Sequence, residues 1–284
     1  MKRILIFSHG NGFPGGTYNV MLQALQARGF EVHAVDKFGH DPRYKVSNNW
    51  PHLVHQLYDF AQPRSQPGAA MYLVGHSLGG FLSLLCAARH PELARGVVML
   101  DSPLIGGWRA TGVGVAKRTQ LIDKVSPGAV SAHRRTSWAN AQAALEHFAH
   151  KKAFAKWHPQ ALQDYIEHGT HDEDGKRVLS FDREIETAIY NTIPHNIEST
   201  LRRHPLKCPA AFIGGLHSSE LAQAGIGLTE KVCKGRISML DGTHLYPMEQ
   251  PLAAAAMVEA AVLNFESSGY VRHAATEGSK RASH

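Results

Sequence analysis

Cysteine is scarce in this chain of 284 residues: Cys86, Cys208 and Cys233 are an odd count with no C-x-x-C spacing between them. Neither a disulfide framework nor a cysteine zinc site is indicated, and a reducing cytoplasm is the expected location. Long apolar runs are missing as well, since no stretch approaches the roughly 18 apolar residues of a membrane span. Near the N-terminus Lys2 and Arg3 precede apolar residues, but the run stops at Ser8-His9-Gly10, too soon for a signal peptide. No stable membrane insertion is therefore expected. Charged residues make up only 19%, and 30 Lys and Arg against 24 Asp and Glu leave a formal net charge of +6. Most of that excess is scattered rather than gathered in a stripe with aromatics between the charges, so nucleic acid is not the expected partner.

Core-forming residues are plentiful, at 43% hydrophobic, and disordered and collagen-like classes are excluded. The length suits one large α/β domain, or a smaller one with an insertion, at roughly 100–200 residues per domain. Short apolar runs recur at Arg3 to Ser8, Glu31 to Val35, Met71 to Gly75, Gly96 to Leu100, Ala210 to Ile213 and Ile237 to Leu240. Helical patterns separate them, as expected of a buried, mostly parallel sheet with helices on both faces. The spacing predicts helices from Thr17, as N-cap, to Arg28, from Pro51 to about Gln62, from Leu78 to His90, and from Pro251 to about Phe265.

The alternation breaks between Pro103 and Pro205. That stretch reads mainly as helices, with a possible hairpin around Asp172 to Phe181 turning at Asp174-Gly175. The expected division is a core of residues 1–102 and 206–265, a helical cap of 103–205 inserted between core strands, and a tail of 266–284. His168, His171, Asp172, Glu173 and Asp174 are ligand types, but their spacing matches no defined metal site.

Gly75-His76-Ser77-Leu78-Gly79 is a G-x-S-x-G between an apolar run and a helix. A strand-to-helix turn this tight needs small residues two positions either side of the serine, and it lifts Ser77 above the sheet as a nucleophile. It also sets the Leu78 N–H at a helix N-terminus, where an oxyanion is stabilised. After the first run comes Ser8-His9-Gly10-Asn11-Gly12-Phe13-Pro14, a glycine-rich loop suited to a second backbone donor. Near the end stand Asp241-Gly242-Thr243-His244 and then Pro247-Met248-Glu249-Gln250-Pro251.

With these motifs, nearly all of residues 1–265 resembles the α/β-hydrolase superfamily, in its serine-nucleophile, esterase- and lipase-like form. The resemblance implies the α/β-hydrolase fold, no cofactor, the backbone N–H groups of Asn11 and Leu78 as oxyanion hole, and His244 as general base and acid. The Asn11 side chain is a further candidate for orienting substrate. The acid departs from the common pattern. Where many relatives carry an aspartate after the penultimate strand, this chain has Leu216-His217-Ser218-Ser219-Glu220. Some members carry the acid after the strand that follows the nucleophile helix, and here Asp101 ends that strand, 24 residues beyond Ser77. Asp101 is the expected acid and Glu220 the alternative, because a triad is recognised by geometry rather than position.

The resemblance implies a serine hydrolase acting on small-molecule esters with an apolar acyl group. Rivals with the same machinery are an acyl thioesterase, a carbon–carbon bond hydrolase and a cofactor-free haloperoxidase or perhydrolase. A non-catalytic ligand-binding member is the rival of another class. Trp108, Trp138, Phe148, Phe154, Trp157, Tyr165 and Tyr190 either roof an apolar pocket or form the insertion's own core. Between residues 109 and 158, nine Lys and Arg stand against Asp123 and Glu146. Such a face either attracts an anionic group, such as coenzyme A or a membrane surface, or is a solvated helix face.

Overall fold

The computed structural model describes residues 1–107 and 131–268. Its strands are β1 (Lys2–Ser8), β2 (Phe30–Ala34), β3 (Ala69–His76), β4 (Gly96–Leu100), β5 (Ser137–Trp138), β6 (Thr170–Glu173), β7 (Lys176–Leu179), β8 (Ala210–Gly215) and β9 (Ile237–Leu240). Six of them form one sheet in the order β2-β1-β3-β4-β8-β9, with every neighbouring pair parallel. Successive residues of these strands bury on opposite faces. Leu5, Phe7, Tyr72, Val74, Val98, Leu100, Ala211 and Ile213 belong to one apolar cluster, and Ile4, Ile6, Met71, Leu73, Val97, Met99, Ala210 and Phe212 to the other. Both faces being covered, the inner strands β1, β3, β4 and β8 read as continuous apolar runs rather than alternating ones, while the edge strands β2 and β9 stay partly exposed. Each such Leu, Ile, Val or Phe contributes about 1.5–3 kcal/mol on burial.

Helices α1 (Asn19–Ala27) and α11 (Pro251–Ser267) cover the first face through Met21, Leu25, Val258 and Val262. Helices α2 (Pro51–Ala61) and α3 (Leu78–Arg89) cover the second through Leu53, Leu57, Leu82 and Leu85. Between β4 and β8 the described chain forms α4 (Ala141–Ala149), α5 (Pro159–Gly169), α6 (Arg183–Asn191) and α7 (Ile197–Arg203). Asp182 caps α6, its Oδ1 accepting from the Glu184 and Ile185 N–H groups. The last short helices are α8 (Ser219–Ala224), α9 (Gly227–Cys233) and α10 (Tyr246–Glu249).

Several local expectations are corrected. Thr17 is not an N-cap: Gly15–Tyr18 is a 3-10 turn and α1 starts at Asn19, because the Gly15 N–H is drawn to the Asp36 carbonyl and the Thr17 N–H to that of Pro14. The hairpin forms as β6 and β7, turning at Asp174 and Gly175 with φ of 48° and 72°, and gains a third strand, the unforeseen β5. The last helix passes the expected tail boundary, since Glu266 accepts two hydrogen bonds from Arg3 and one from the Tyr72 hydroxyl. Residues 269–284 of the expected tail, and Trp108, lie outside the described residues. Trp138, Phe148, Phe154, Trp157 and Tyr165 pack against one another, and their cluster is continuous with Phe7 and Tyr18 of the main core. All three cysteines are free, and burial pushes each thiol up to about 12.

Candidate active site

The turn from β3 into α3 holds Ser77 at φ 51°, ψ −116°, a region that residues other than glycine rarely adopt. The flanking glycines are required by contact. A Cβ on Gly75 would sit 2.1 Å from the backbone of Gly79, and one on Gly79 would sit 2.0 Å from the Ser8 carbonyl oxygen. The elbow is thereby pressed against the end of β1. Leu78 is the first residue of α3 and buried, so its N–H lies at the positive end of the helix dipole.

His244, in the loop between β9 and α10, faces Ser77. Its Nε2 is 3.0 Å from Ser77 Oγ, and its Nδ1 is 2.6 Å from Asp101 Oδ2. A proton on Nδ1, donated to Asp101, leaves Nε2 to accept from the Ser77 hydroxyl. Burial works most strongly against the imidazolium. The Asp101 hydrogen bond and the charges of Glu220 and Asp101 outweigh it and hold His244 above its ordinary value. Asp101 shows the complement: burial alone would raise its carboxyl, but His244, Ser218 and the Gly215 N–H hold it below the usual range.

Asp101 is wholly buried at the end of β4. Its Oδ1 accepts from the Gly215 N–H at 2.7 Å and its Oδ2 from the Ser218 hydroxyl at 2.5 Å. Ser218 thus occupies the region after β8 where the common pattern has an acid, and it supports the neighbouring strand's acid instead. Glu220 lies 3.9 Å from His244 Nδ1, is half-exposed, and accepts from the Ser219 hydroxyl. Asp101, Glu220 and His244 are the one group among the described residues whose ligand atoms, within 4.8 Å of one another, could hold a metal. Both Asp101 oxygens are already engaged by three donors, an arrangement that fits a hydrogen-bonded acid better than a metal ligand.

The His9-Gly10-Asn11 loop is anchored from below. His9 Nε2 accepts from the Phe38 N–H, so its Nδ1–H donates to the Gly10 carbonyl; burial pushes its pKa down to about 4 and keeps it neutral. Asn11 is buried beside Ser77 in the cleft lining. Its side-chain Nδ2 donates to the Glu186 carbonyl of α6 at 2.9 Å, which ties the loop to that helix.

His76, which fills a variable position of the motif, ties the site together. With its pKa pushed to about 3, chiefly by burial, it is neutral. Its Nε2–H donates to the His244 carbonyl at 2.8 Å, and its Nδ1 accepts from the Tyr18 hydroxyl at 2.7 Å, whose oxygen accepts from the Gly10 N–H at 3.0 Å. One chain of hydrogen bonds therefore joins the glycine-rich loop, the elbow and the histidine loop. Tyr18→Phe is expected to strand the Gly10 N–H and His76 Nδ1 in the interior and cost about 1–3 kcal/mol. The check is the urea midpoint at constant m-value; an unchanged midpoint would mean that the chain carries no stability.

Ser77 and His244 open into a cleft of about 730 Å³ lined by Asn11, Phe13, Phe148, Phe154, Tyr190 and Leu245 among others. Also lining it, Arg134 pairs with the buried Glu186 at 2.7 Å and donates to the Tyr165 hydroxyl at 2.8 Å. Neither this pair nor the support from Ser218, Tyr18 and His76 was foreseen. The only available signal was the serine run where an acid was expected.

This fold and site meet a family described as serine aminopeptidase, S33, whose model matches residues 1–162. The chain belongs to that family, and so to the α/β-hydrolases. It is 31% identical over 100 residues to a pyrethroid hydrolase of Sphingobium wenxiniae, covering 35% of this chain and 36% of the relative. It is 31% identical over 109 residues to a monoglyceride lipase of Rattus norvegicus, covering 37% and 36%. The chain thus spans little more than a third of the length of either relative. Among solved structures, a thioesterase domain from the curacin biosynthetic pathway superposes with a TM-score of 0.71 at 17% identity, over 90% of this chain and 91% of that one.

Proposed function

We propose that the protein is a serine hydrolase that cleaves carboxylic esters of small or medium apolar acyl groups through an acyl-enzyme. The observation that carries this reading is the continuous hydrogen-bonded line from Ser77 Oγ through His244 to Asp101 at the floor of an aromatic cleft. The esterase and lipase relatives lend it support.

Ser77 Oγ attacks the ester carbonyl carbon while His244 Nε2 takes its proton. The carbonyl electrons move onto oxygen, which the Asn11 and Leu78 N–H groups receive. As the tetrahedral intermediate collapses, the C–O bond breaks and His244 gives its proton to the departing alcohol. Water, deprotonated by His244, then attacks the acyl-enzyme and releases the acid and free Ser77. Throughout, Asp101 holds the productive tautomer and stabilises the imidazolium without taking the proton. Phe148, Phe154 and Tyr190, from the stretch between β4 and β8, supply the aromatic wall.

The test joins a fluorophosphonate probe with a series of p-nitrophenyl esters from acetate to laurate. Stoichiometric labelling at Ser77 and turnover of the shorter esters are expected. An unlabelled, inert protein would leave the cleft as a ligand-binding site.

A further inference from the structure

Three cationic side chains at the cleft have no role in the ester chemistry. Lys151, Lys152 and Lys156 all line it and are all exposed, and among the described residues none makes an ion pair. The segment that carries them is held in place. Phe154 and Trp157 between and beside the lysines are buried, and their rings lie 6.5 and 5.6 Å from that of Phe13, two residues beyond Asn11. Backbone hydrogen bonds from Phe154 to Lys151 and from Trp157 to Phe154 fix the turn, and the His158 N–H donates to the Met248 carbonyl at 2.8 Å. The backbone that carries the lysines is thus held near the glycine-rich loop through Phe13 and tied at Met248 to the segment that follows His244.

The acidic residues of the cleft offset them only in part. Glu186 is paired with Arg134, whereas Glu249, which accepts from the Thr243 N–H and hydroxyl, and Glu220, beside His244, keep their charge on the His244 side of the cleft, away from any Lys or Arg ion pair among the described residues. The cleft is therefore aromatic along Phe13, Phe148 and Phe154 and cationic along the exposed segment that carries Lys151, Lys152 and Lys156. An ester with two apolar ends leaves the lysines without a partner, whereas a substrate with an apolar acyl group and an anionic leaving group matches both parts.

We propose that the leaving group of the natural substrate is phosphate-bearing and multiply anionic, so that the substrate is an acyl thioester or ester whose phosphates lie against Lys151, Lys152 and Lys156. This rests on the serine-hydrolase reading. Compact ammonium groups clustered on one edge suit a polyphosphate, to which they act as point charges, and at the open rim they also draw the anion in before docking.

The test compares hexanoyl-coenzyme A with hexanoyl-pantetheine, which presents the same thioester without phosphates. The wild type is expected to prefer the coenzyme A thioester by at least about tenfold in kcat/KM at low salt, the lower range of electrostatic steering. That preference should shrink as salt shortens the Debye length, and should collapse in the triple variant K151Q/K152Q/K156Q. Equal use of both thioesters by the wild type, or an unchanged preference in the triple variant, would overturn the proposal. Binding of coenzyme A to Ser77→Ala by calorimetry reads the lysine site without turnover. Salt-dependent binding lost in Ser77→Ala carrying the three glutamines supports the site even if the protein hydrolyses nothing, and no binding counts against it. Turnover of p-nitrophenyl esters tests the hydrolase reading separately.

Discussion

Ser77→Gly is expected to abolish ester turnover and yet to fold more stably than Ser77→Ala. Both variants lose the Oγ nucleophile and its hydrogen bond to His244, and both should lose about 10⁵-fold or more in kcat. They differ only in the backbone. At φ 51°, ψ −116° an alanine keeps its Cβ in a sparsely allowed region, a strain of about 1–3 kcal/mol, which glycine relieves. Glycine gives back about 0.5–1 kcal/mol through its larger unfolded-state freedom. The glycine variant should therefore exceed the alanine variant by about 1 kcal/mol in urea unfolding. A glycine variant less stable than the alanine one would mean that the elbow stores no strain. Turnover surviving in both would remove Ser77 as the nucleophile.

That strain explains why so much of the centre of the molecule was legible in the sequence. A turn that tolerates no Cβ at Gly75 or Gly79 leaves its mark as a fixed motif, and strands buried on both faces leave theirs as apolar runs. The features that were not legible depend on contacts distant in the chain. Asp101 meets Ser218 and Gly215 because β4 lies beside β8 with Leu100 opposite Ile213, a register that no local pattern encodes. Glu266 was assigned to a tail because its partners, Arg3 and Tyr72, lie on strands far earlier in the chain. His76 stands at an unspecified position of the G-x-S-x-G motif, and its partners, Tyr18 and the His244 carbonyl, are brought to its two ring nitrogens only by the fold.

The two carboxylates beside His244 are expected to divide their effects between rate and pH. Asp101→Asn places an amide where a carboxylate accepts from His244 Nδ1 at 2.6 Å, while Oδ1 continues to serve the Gly215 N–H. The amide donates toward Nδ1, which then carries no proton, so the proton shifts to Nε2 and the imidazole can no longer take one from Ser77. A fall of about 10³–10⁴ in kcat is expected, the scale of a wrong tautomer in a serine triad. Glu220→Gln leaves that hydrogen bond intact and removes only a negative charge near the ring, 3.9 Å from Nδ1. Turnover requires the neutral imidazole, and in the wild type burial is outweighed by the Asp101 hydrogen bond and the charges of Glu220 and Asp101, so activity should fall with acid through a pKa raised above that of an ordinary histidine. The other groups around the ring are His76, held neutral by burial, and Glu249, tied to Thr243. Without Glu220 the imidazolium is less stabilised, its pKa drops, and the acid limb of kcat/KM moves to lower pH, with kcat on the plateau reduced by less than about threefold because an exposed charge is well screened. Profiles of kcat and kcat/KM from pH 5 to 9 for both variants separate the roles. A large plateau loss in Glu220→Gln with a small one in Asp101→Asn would reverse the assignment, making Glu220 the acid that orients His244 and Asp101 a buried brace between β4 and β8.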